Sequence, residues 1–429
     1  MPNFQSNRLQ LIGNPGSFWQ DCYLLLALSS GILGFLSVRG CTNASLFLLL
    51  VPASVGLKSA YHTAKKTGAI DVMGVIVVTL ALPLLAVLIS QTLRQEWIVK
   101  AYDGPSRIFL SIPLLFYFAY RQVDYAKLIG LTAAPALLIL VPLVLAHPEI
   151  LAHWDGRFAT AAVDPTAFGT YTLVLTAFCL FSMDATASSK LLALQVLGLL
   201  AGLYLILGSG TRGSWLAIPP LLLLWAMLKE KPVFHPRTLP MLGVVFIVVL
   251  IFIYYFHPNS LERFNSGFRE ISSWLDNSNR ETSTGWRLTM WQMSWELFKH
   301  NPFSGYGDIG FGDYLNEPWI TSISSPESRR IILYNGPHNE FLANLLRSGI
   351  LGGISVLFLF LAPLWLFWRN KTNRASQLGL AFIVSLIFCS ISSEVLTLKY
   401  TTTFYGLTMA GLAAQAIRAQ LERSKEIHK

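Results

Sequence analysis

Residues 335–368 read NGPHNEFLANLLRSGILGGISVLFLFLAPLWLFW, a short polar start followed by a long apolar run. Between Ala343 and Trp368 the only charged side chain is Arg347, near the beginning of the run. Because about 20 helical residues cross a hydrocarbon core of about 30 Å, this stretch predicts a helix that enters a membrane from its polar end. His338 stands in the polar start, where that helix begins.

The whole chain shares this apolar character. It has 429 residues, of which 53% are hydrophobic and 13% are charged, and its mean hydropathy is +0.51. A soluble domain carries about 25% charged residues. The composition therefore predicts an integral membrane protein.

Twelve apolar segments have the character of membrane-spanning helices, since they carry very few charges. They lie near residues 21–38, 43–58, 70–90, 106–120, 128–146, 165–182, 189–208, 213–228, 239–256, 343–368, 377–393 and 400–417. The shorter segments must include polar flanking residues in order to cross. We expect an all-α integral membrane protein with about twelve transmembrane helices.

Lysine and arginine are distributed unequally between the two sides of these spans, with seventeen on one side and seven in the short loops of the other. Because positive residues collect in cytoplasmic loops, both termini are predicted to be cytoplasmic. The chain then divides into helices one to nine (1–256), a large, partly helical outer loop (257–341), and helices ten to twelve with a short cytoplasmic tail (342–429). Loops of this length are usually functional, so we expect this one to carry catalytic elements.

Several classes of protein are disfavoured by the sequence. The four cysteines are scattered without a CxxC or Cys/His cluster, so neither a disulfide framework nor a zinc site is predicted. Ionisable residues are scarce in the middle of the predicted spans, where ion-coupled transporters usually place them. The first apolar run, CYLLLALSSGILGFLSV at 22–38, is expected to be an uncleaved membrane anchor.

Arg212 lies in the stretch GSGTRGSWLAIPP, residues 208–220. Glycines remove side-chain bulk around it, and the helix that follows starts at the outer surface with its first amides pointing outward. An arginine beside a helix N-terminus and flexible glycine backbone is suited to binding a diphosphate. The alternative is an interfacial arginine that reaches toward lipid headgroups.

Arg287 lies in the stretch STGWRLTMWQMSWELFKHNPFSGYG, residues 283–307. Ser283 or Thr284 is predicted to cap a tryptophan-rich helix at the membrane surface. A cation in the first turn of a helix is disfavoured by the helix dipole, so Arg287 there favours an anion beside it. A solvated surface arginine is the alternative.

His338 precedes the helix of span ten, and either His338 or Asn339 is predicted to be its N-cap, because Pro337 disfavours helix at Gly336. The positive end of a helix lowers the proton affinity of an imidazole, which favours a neutral ring that is able to accept a proton. A structural histidine is the alternative. Arg157, in the outward loop HWDGRFATAAVDPTAFGTY at 153–171, is a weaker candidate contact for a polar substrate.

The stretches GTRGSWLA, TGWRLTMWQMSWELFKHNPFSGYG and PHNEFLANLLRSGILGG, in this order on a twelve-span scaffold, resemble the O-antigen ligase family. Its wider superfamily contains O-antigen polymerases and protein O-oligosaccharyltransferases. The resemblance implies a multispanning, GT-C-like glycosyltransferase of the inner membrane of Gram-negative bacteria that works without metal or cofactor and inverts the sugar linkage. It would move a glycan from undecaprenyl diphosphate to a sugar hydroxyl of lipid A–core oligosaccharide on the periplasmic side.

The resemblance also implies roles for individual residues. His338 would be the catalytic base, and Arg212 and Arg287 would stabilise the diphosphate. Arg157 and Asn339 are predicted as further substrate contacts. The expected partners are the lipid-linked glycan donor, the lipid A–core acceptor and membrane lipids, with no nucleic acid.

The three main candidate side chains lie beside residues suited to capping a helix, near Thr211, Thr284 and His338. We therefore expect three helix N-termini to converge on one outward-facing cavity with a lateral opening for a polyprenyl tail.

Three other functions stay open from the sequence. A polymerase would use the same donor but another lipid-linked glycan as acceptor. A protein O-glycosylating enzyme would take serine or threonine, and such enzymes usually carry an extra C-terminal region. A polyprenyl-glycan transporter would need ionisable residues inside the helical bundle, where this chain has few.

Overall fold

The computed structural model describes residues 11–14, 16–183, 188–228 and 258–427. Within these ranges the regular structure is helical, apart from two isolated antiparallel bridges. The helices before residue 229 are α1 Phe18–Leu33, α2 Cys41–Thr67, α3 Ala69–Arg94, α4 Asp103–Phe109, α5 Ile112–Arg121, α6 Tyr125–Leu145, α7 Pro148–His153, α8 Pro165–Ser182, α9 Ser189–Ser209 and α10 Arg212–Leu228. The helices after residue 257 are α11 Pro258–Leu275, α12 Ser283–His300, α13 Pro318–Thr321, α14 Pro326–Asn335, α15 Glu340–Arg369, α16 Arg374–Ser390 and α17 Lys399–Ile427.

Six helices in the described ranges are long and apolar enough to cross a membrane: α2, α3, α6, α8, α9 and α15. Three shorter apolar helices, α1, α10 and α16, accompany them. The prediction of an all-helical membrane protein is confirmed at this level, whereas the number of twelve spans stays a prediction. The predicted ninth span, 239–256, lies outside the described residues.

The predicted fourth span, 106–120, is two helices rather than one. Helix α4 ends at Phe109, and α5 begins at Ile112 with Pro113 in its first turn. Proline has no N–H for a preceding turn, so it suits the start of a new helix. The last helix also differs from its prediction of 400–417, because α17 continues to Ile427 through the segment that was expected to be a tail.

Helix α8 lies at the centre of the bundle and is buried along nearly its whole length. Helix α9 packs closely on it, because Gly202 leaves room for the Thr176 side chain. The fully buried Tyr171 donates its hydroxyl to the carbonyl oxygen of Val395, 2.7 Å away. This bond ties the central helix to the segment 391–398, between α16 and α17, which shapes the candidate site.

Helices α11 to α14 belong to the predicted outer loop, whose described part is therefore partly helical, as expected. Helices α12 to α14 share a small hydrophobic core, built from residues such as Met290, Met293, Leu297 and Ile332. Leu346 of α15 joins this core. The outer helices are thus packed directly against the start of a membrane-spanning helix.

The segment that follows α12 packs against a break inside α15. Ser348 and Gly349 have non-helical backbone angles, and the carbonyl groups that the break frees accept hydrogen bonds from outside the helix. The amide of Tyr306 donates to Leu346 at 2.6 Å, while the amide of Ile350 donates to Pro302 at 2.7 Å. The outer region is therefore held to α15 by backbone hydrogen bonds.

Gly349 allows this close approach. Its φ of +61° is in the left-handed region that favours glycine, and a Cβ atom there would lie 2.5 Å from the carbonyl oxygens of Pro302 and Phe303. We predict that Gly349→Ala destabilises the protein by at least about 1–2 kcal/mol, the cost of left-handed backbone for an L-residue. Thermal unfolding in detergent measures this as a lower Tm.

The matched control is Gly74→Ala, because Gly74 in α3 has open space around the position of a Cβ atom. Alanine is favoured over glycine within a helix, so this variant should keep or slightly raise Tm. Equal Tm values for the two variants would contradict the proposed docking of the outer region at the break.

Candidate active site

His338 is presented by a short connection between α14 and α15. Its φ of +51° is uncommon for a residue other than glycine, and such backbone strain is typical of functional sites. The next residue, Asn339, is the N-cap of α15, because its Oδ1 accepts from the amide of Leu342 at 3.0 Å. Of the two predicted caps, Asn339 is therefore the one that the structure uses.

The imidazole of His338 lies in the wall of a cavity of about 190 Å³. The acidic side chains that share this wall are Asp164 and Glu394. Burial, and then the positive charge of Arg287, lower the pKa of His338 to about 4. The ring is therefore neutral near pH 7, as expected from the sequence, but its affinity for a proton is weak.

Arg212 is the first residue of α10, and its guanidinium is paired with Glu270 of α11. Nη1 donates to Oε2 of Glu270 at 2.8 Å, and Nη2 donates to Oε1 at 3.1 Å. Nη1 also donates to the Thr284 hydroxyl at 2.8 Å. A bidentate pair between arginine and carboxylate is a strong and geometrically specific interaction.

Glu270 remains ionised in this arrangement. Burial favours its neutral form, but hydrogen bonds from Arg212 and Thr284 outweigh burial and lower the pKa of Glu270 to about 2. An anion that approaches Arg212 must therefore share the guanidinium with a resident carboxylate, or displace it. The sequence did not predict this partner.

Arg287 lies one turn into α12 and is less completely paired. Its Nη1 donates to the carbonyl and hydroxyl oxygens of Ser283, both at 3.1 Å, while its buried Nε has no hydrogen-bond partner within the described residues. Burial, and then repulsion by Arg212, lower the pKa of Arg287. A bound anion would relieve both effects, as predicted for a cation in a first helical turn.

The N-cap of α12 differs from its prediction. Thr282 caps the helix by accepting from the amide of Gly285 at 3.1 Å, and neither Ser283 nor Thr284 does so. Thr284 is used elsewhere, because its hydroxyl accepts from Arg212 and its amide donates to Glu270 at 2.9 Å.

The three predicted helix starts are linked to one another, in part through other residues. Arg212 contacts the start of α12 through Thr284, and the charge of Arg287 acts on His338. Gly213 packs against the hydroxyl of Ser392. Asn339 donates to the carbonyl oxygen of Ile391 at 3.1 Å, so the segment 391–398 connects the starts of α10 and α15. The cavity beside His338 is lined by neither arginine, so the prediction of a single shared cavity remains untested.

Arg157 contacts the turn between α9 and α10, directly before Arg212. Its Nε donates to the carbonyl oxygen of Ser209 at 2.8 Å, and its Nη2 lies 3.4 Å from the Thr211 hydroxyl. A cation suits the C-terminal end of a helix such as α9. These contacts brace the turn between α9 and α10.

Sequence reasoning missed two acidic residues, Glu270 and Glu394. Glu394 follows α16, in the segment 391–398, and lines both the cavity of His338 and a larger one of about 540 Å³. A signal was present for Glu394, since it is a lone carboxylate at the outer end of a predicted span. Glu270 carried no such signal, because it lies among other polar residues of α11.

The described residues contain no group of three or more histidine, cysteine, aspartate or glutamate side chains that could hold a metal ion.

Residues 197–357 match the family model described as O-antigen ligase. Over this segment the chain is similar to O-antigen ligases. The resemblance predicted from the sequence is thereby confirmed, and the O-antigen ligase segment contains Arg212, Arg287 and His338. An uncharacterised protein of Haemophilus influenzae is 23% identical over 317 residues, which make up 72% of this chain and 77% of the relative.

The role of the Arg212–Glu270 pair can be tested by removing the charge of Glu270. Glu270→Gln removes the negative charge that competes with an anion for Arg212, so inorganic diphosphate should bind up to about tenfold more tightly, the effect of about 1.4 kcal/mol. Tm should fall, because a half-buried guanidinium loses its counter-ion. Isothermal titration and thermal unfolding measure the two effects.

Glu327→Gln is the control, since Glu327 forms an exposed pair with Arg330 on α14. It should change neither diphosphate affinity nor Tm measurably, as exposed pairs contribute little. Weaker diphosphate binding by Glu270→Gln at unchanged Tm would contradict the assignment of Arg212 to the anion.

Proposed function

We propose that this protein is an O-antigen ligase. It transfers a glycan from undecaprenyl diphosphate to a sugar hydroxyl of lipid A–core oligosaccharide, at the periplasmic face of the inner membrane. The observation that carries the proposal is that Arg212 contacts the start of α12 and the charge of Arg287 acts on His338, within the segment that matches the O-antigen ligase family model.

The two arginines are assigned to the leaving group. When the anomeric carbon separates from the diphosphate, negative charge develops on the phosphate oxygens, and guanidinium groups stabilise such charge by paired hydrogen bonds. Arg287 has unused donor capacity at Nε, and Arg212 stands beside it. The proposed displacement therefore needs no metal ion.

His338 is assigned to the acceptor. A neutral imidazole accepts a hydrogen bond from the attacking hydroxyl and orients it toward the anomeric carbon. A pKa of about 4 for His338 makes the ring a poor final acceptor of the proton, since a general base works best with a pKa near the working pH. A single displacement inverts the sugar linkage.

Arg157 and Asn339 are assigned positioning roles in the proposal. Arg157 braces the turn before Arg212, and Asn339 holds the start of α15 against Ile391. Both contacts place other residues of the site, and neither requires a bound substrate.

The family and the apolar helices support a multi-pass bacterial membrane protein. We further propose that both termini are cytoplasmic and that α11 to α14 face the periplasm. A reporter that fluoresces only in the cytoplasm should be active when fused after Lys429. A phosphatase that folds only in the periplasm should be active when inserted at the exposed Asn277. The reverse pattern would contradict this orientation.

The function is tested with purified protein, a lipid-linked glycan, and lipid A–core either present or omitted, with the product followed by gel. Wild-type protein should form product only with lipid A–core. His338→Ala should reduce the rate by about 100-fold, the usual loss when a reacting group is misplaced by about 1 Å. The control His62→Ala should retain full activity, because His62 is exposed on α2.

Two results would contradict the proposal. Longer lipid-linked chains formed without lipid A–core would identify a polymerase, and full activity of His338→Ala would remove the histidine from the reaction.

A further inference from the structure

Glu394 lines two cavities. The smaller one, of about 190 Å³, also has His338 in its wall, and the larger one has a volume of about 540 Å³. Asn335, Thr397 and Leu398 also line both. A group bound in the larger cavity would therefore lie against the residue that also lines the space beside His338.

The connection that carries His338 packs directly on this carboxylate. Gly336, two residues before His338, has a φ of +69°, and a Cβ atom at this position would overlap Oε1 of Glu394. The carboxylate and the histidine are thus placed by the same short piece of backbone.

The Glu394 carboxylate is only partly used by the fold. Its Oε2 accepts from the Thr397 hydroxyl at 3.0 Å and lies 4.0 Å from Nη2 of Arg347. Its Oε1 is buried and, among the described residues, has no hydrogen-bond partner. A buried polar atom without a partner is costly, and a ligand hydroxyl would supply the missing donor.

The nearby carboxylate of Glu340 differs from that of Glu394 in its hydrogen bonds. Glu340 has both oxygens occupied, since Oε2 accepts from the amide of Leu396 at 2.8 Å and Oε1 accepts from Asn344 at 2.8 Å. Glu340 therefore supports the fold, whereas Glu394 has capacity left for a substrate.

The larger cavity suits a carbohydrate. Its polar side chains include Asp308, Asn335, Asn344 and the exposed Tyr334, the kinds of group that bind sugar hydroxyls and stack on sugar rings. Its deeper wall is apolar and comes from the membrane-spanning helices α3 and α15, through Pro83, Val356 and Leu359. A glycan attached to a lipid matches both parts.

We propose that the larger cavity binds the acceptor glycan and that Glu394 is the base that takes the proton from its attacking hydroxyl. This inference rests on the proposed ligase function. The acceptor oxygen forms a bond to the anomeric carbon, while the bond between that carbon and the phosphate oxygen breaks and its electron pair leaves with undecaprenyl diphosphate. The hydroxyl proton passes to the Glu394 carboxylate and later to water, and His338 orients the hydroxyl.

The electrostatics agree with this assignment. Burial, helped by the nearby Glu340 and Asp308, raises the pKa of Glu394 to about 7, against the opposing effects of Arg347 and Thr397. The other charged groups that face the same cavity are Lys100, Asp103 and Lys399. Glu394 therefore binds a proton more strongly than His338, whose pKa is about 4, and it is matched to a neutral working pH.

The test compares Glu394→Gln with wild-type protein in the lipid A–core assay. Glutamine keeps the size of the side chain but accepts no proton, so kcat should fall by about 100-fold or more, with the acceptor KM little changed. The affinity for inorganic diphosphate and Tm should stay near wild type. Glu327→Gln, on an exposed side chain outside both cavities, is the control.

The pH profile of wild-type protein supplies a second, variant-free measurement. A carboxylate base is active only when ionised, so kcat should rise with pH through about 7, the pKa of Glu394. A flat profile between pH 5.5 and 8.5, or near-normal kcat in Glu394→Gln, would overturn the proposal. A large loss of Tm in Glu394→Gln together with a flat profile would also overturn it, in favour of a structural role.

Different results would contradict the ligase function and the role of Glu394. If wild-type protein forms no product that depends on lipid A–core, the ligase function is wrong. If wild-type protein ligates and Glu394→Gln does so equally well, only the role of Glu394 is wrong.

Discussion

The two hydrogen bonds of the Asn339 side chain hold the candidate site together. One caps α15 through the amide of Leu342, and the other reaches across to the carbonyl oxygen of Ile391. The first fixes where the membrane-spanning helix begins, and hence where His338 stands. The second joins that point to the segment 391–398, which carries Glu394 and packs through Ser392 on the helix of Arg212. A polar side chain at one helix start thereby sets the relative positions of residues from three distant parts of the chain.

Around this junction the charges are arranged unevenly. Arg212 is neutralised by Glu270, Arg287 has donor capacity left and is destabilised by burial, and His338 is neutral beside it. A site with a surplus of positive charge near Arg287 favours an incoming anion, such as a diphosphate. The neutral histidine and the partly used Glu394 carboxylate lie beyond it, where an acceptor hydroxyl would meet the donor. In the proposed mechanism, the groups that stabilise the leaving group are therefore different from the group that takes the proton.

The sequence predicted those features that are encoded locally. Apolar runs predicted an all-helical membrane protein, and cap residues beside Arg212, Arg287 and His338 pointed to helix starts that the structure links, in part through the segment 391–398. The Arg212–Glu270 pair could not be predicted, because its partners lie 58 positions apart and depend on how α11 packs. Glu394 was visible in the sequence as a lone carboxylate at the end of a predicted span, but its packing against Gly336 could not be predicted, because Gly336 comes from another part of the chain. The predicted N-cap of α12 was wrong for a related reason. Thr282 caps the helix, whereas Thr284 is occupied by tertiary contacts with Arg212 and Glu270.

The central claim is that the starts of α10, α12 and α15 form one reaction centre for a polyprenyl diphosphate donor. An experimental structure with bound undecaprenyl diphosphate tests it most directly. We predict phosphate oxygens within hydrogen-bond distance, about 3 Å, of the Arg287 guanidinium, with Arg212 beside them and His338 facing the position of the anomeric carbon. A diphosphate bound away from both arginines would contradict the account.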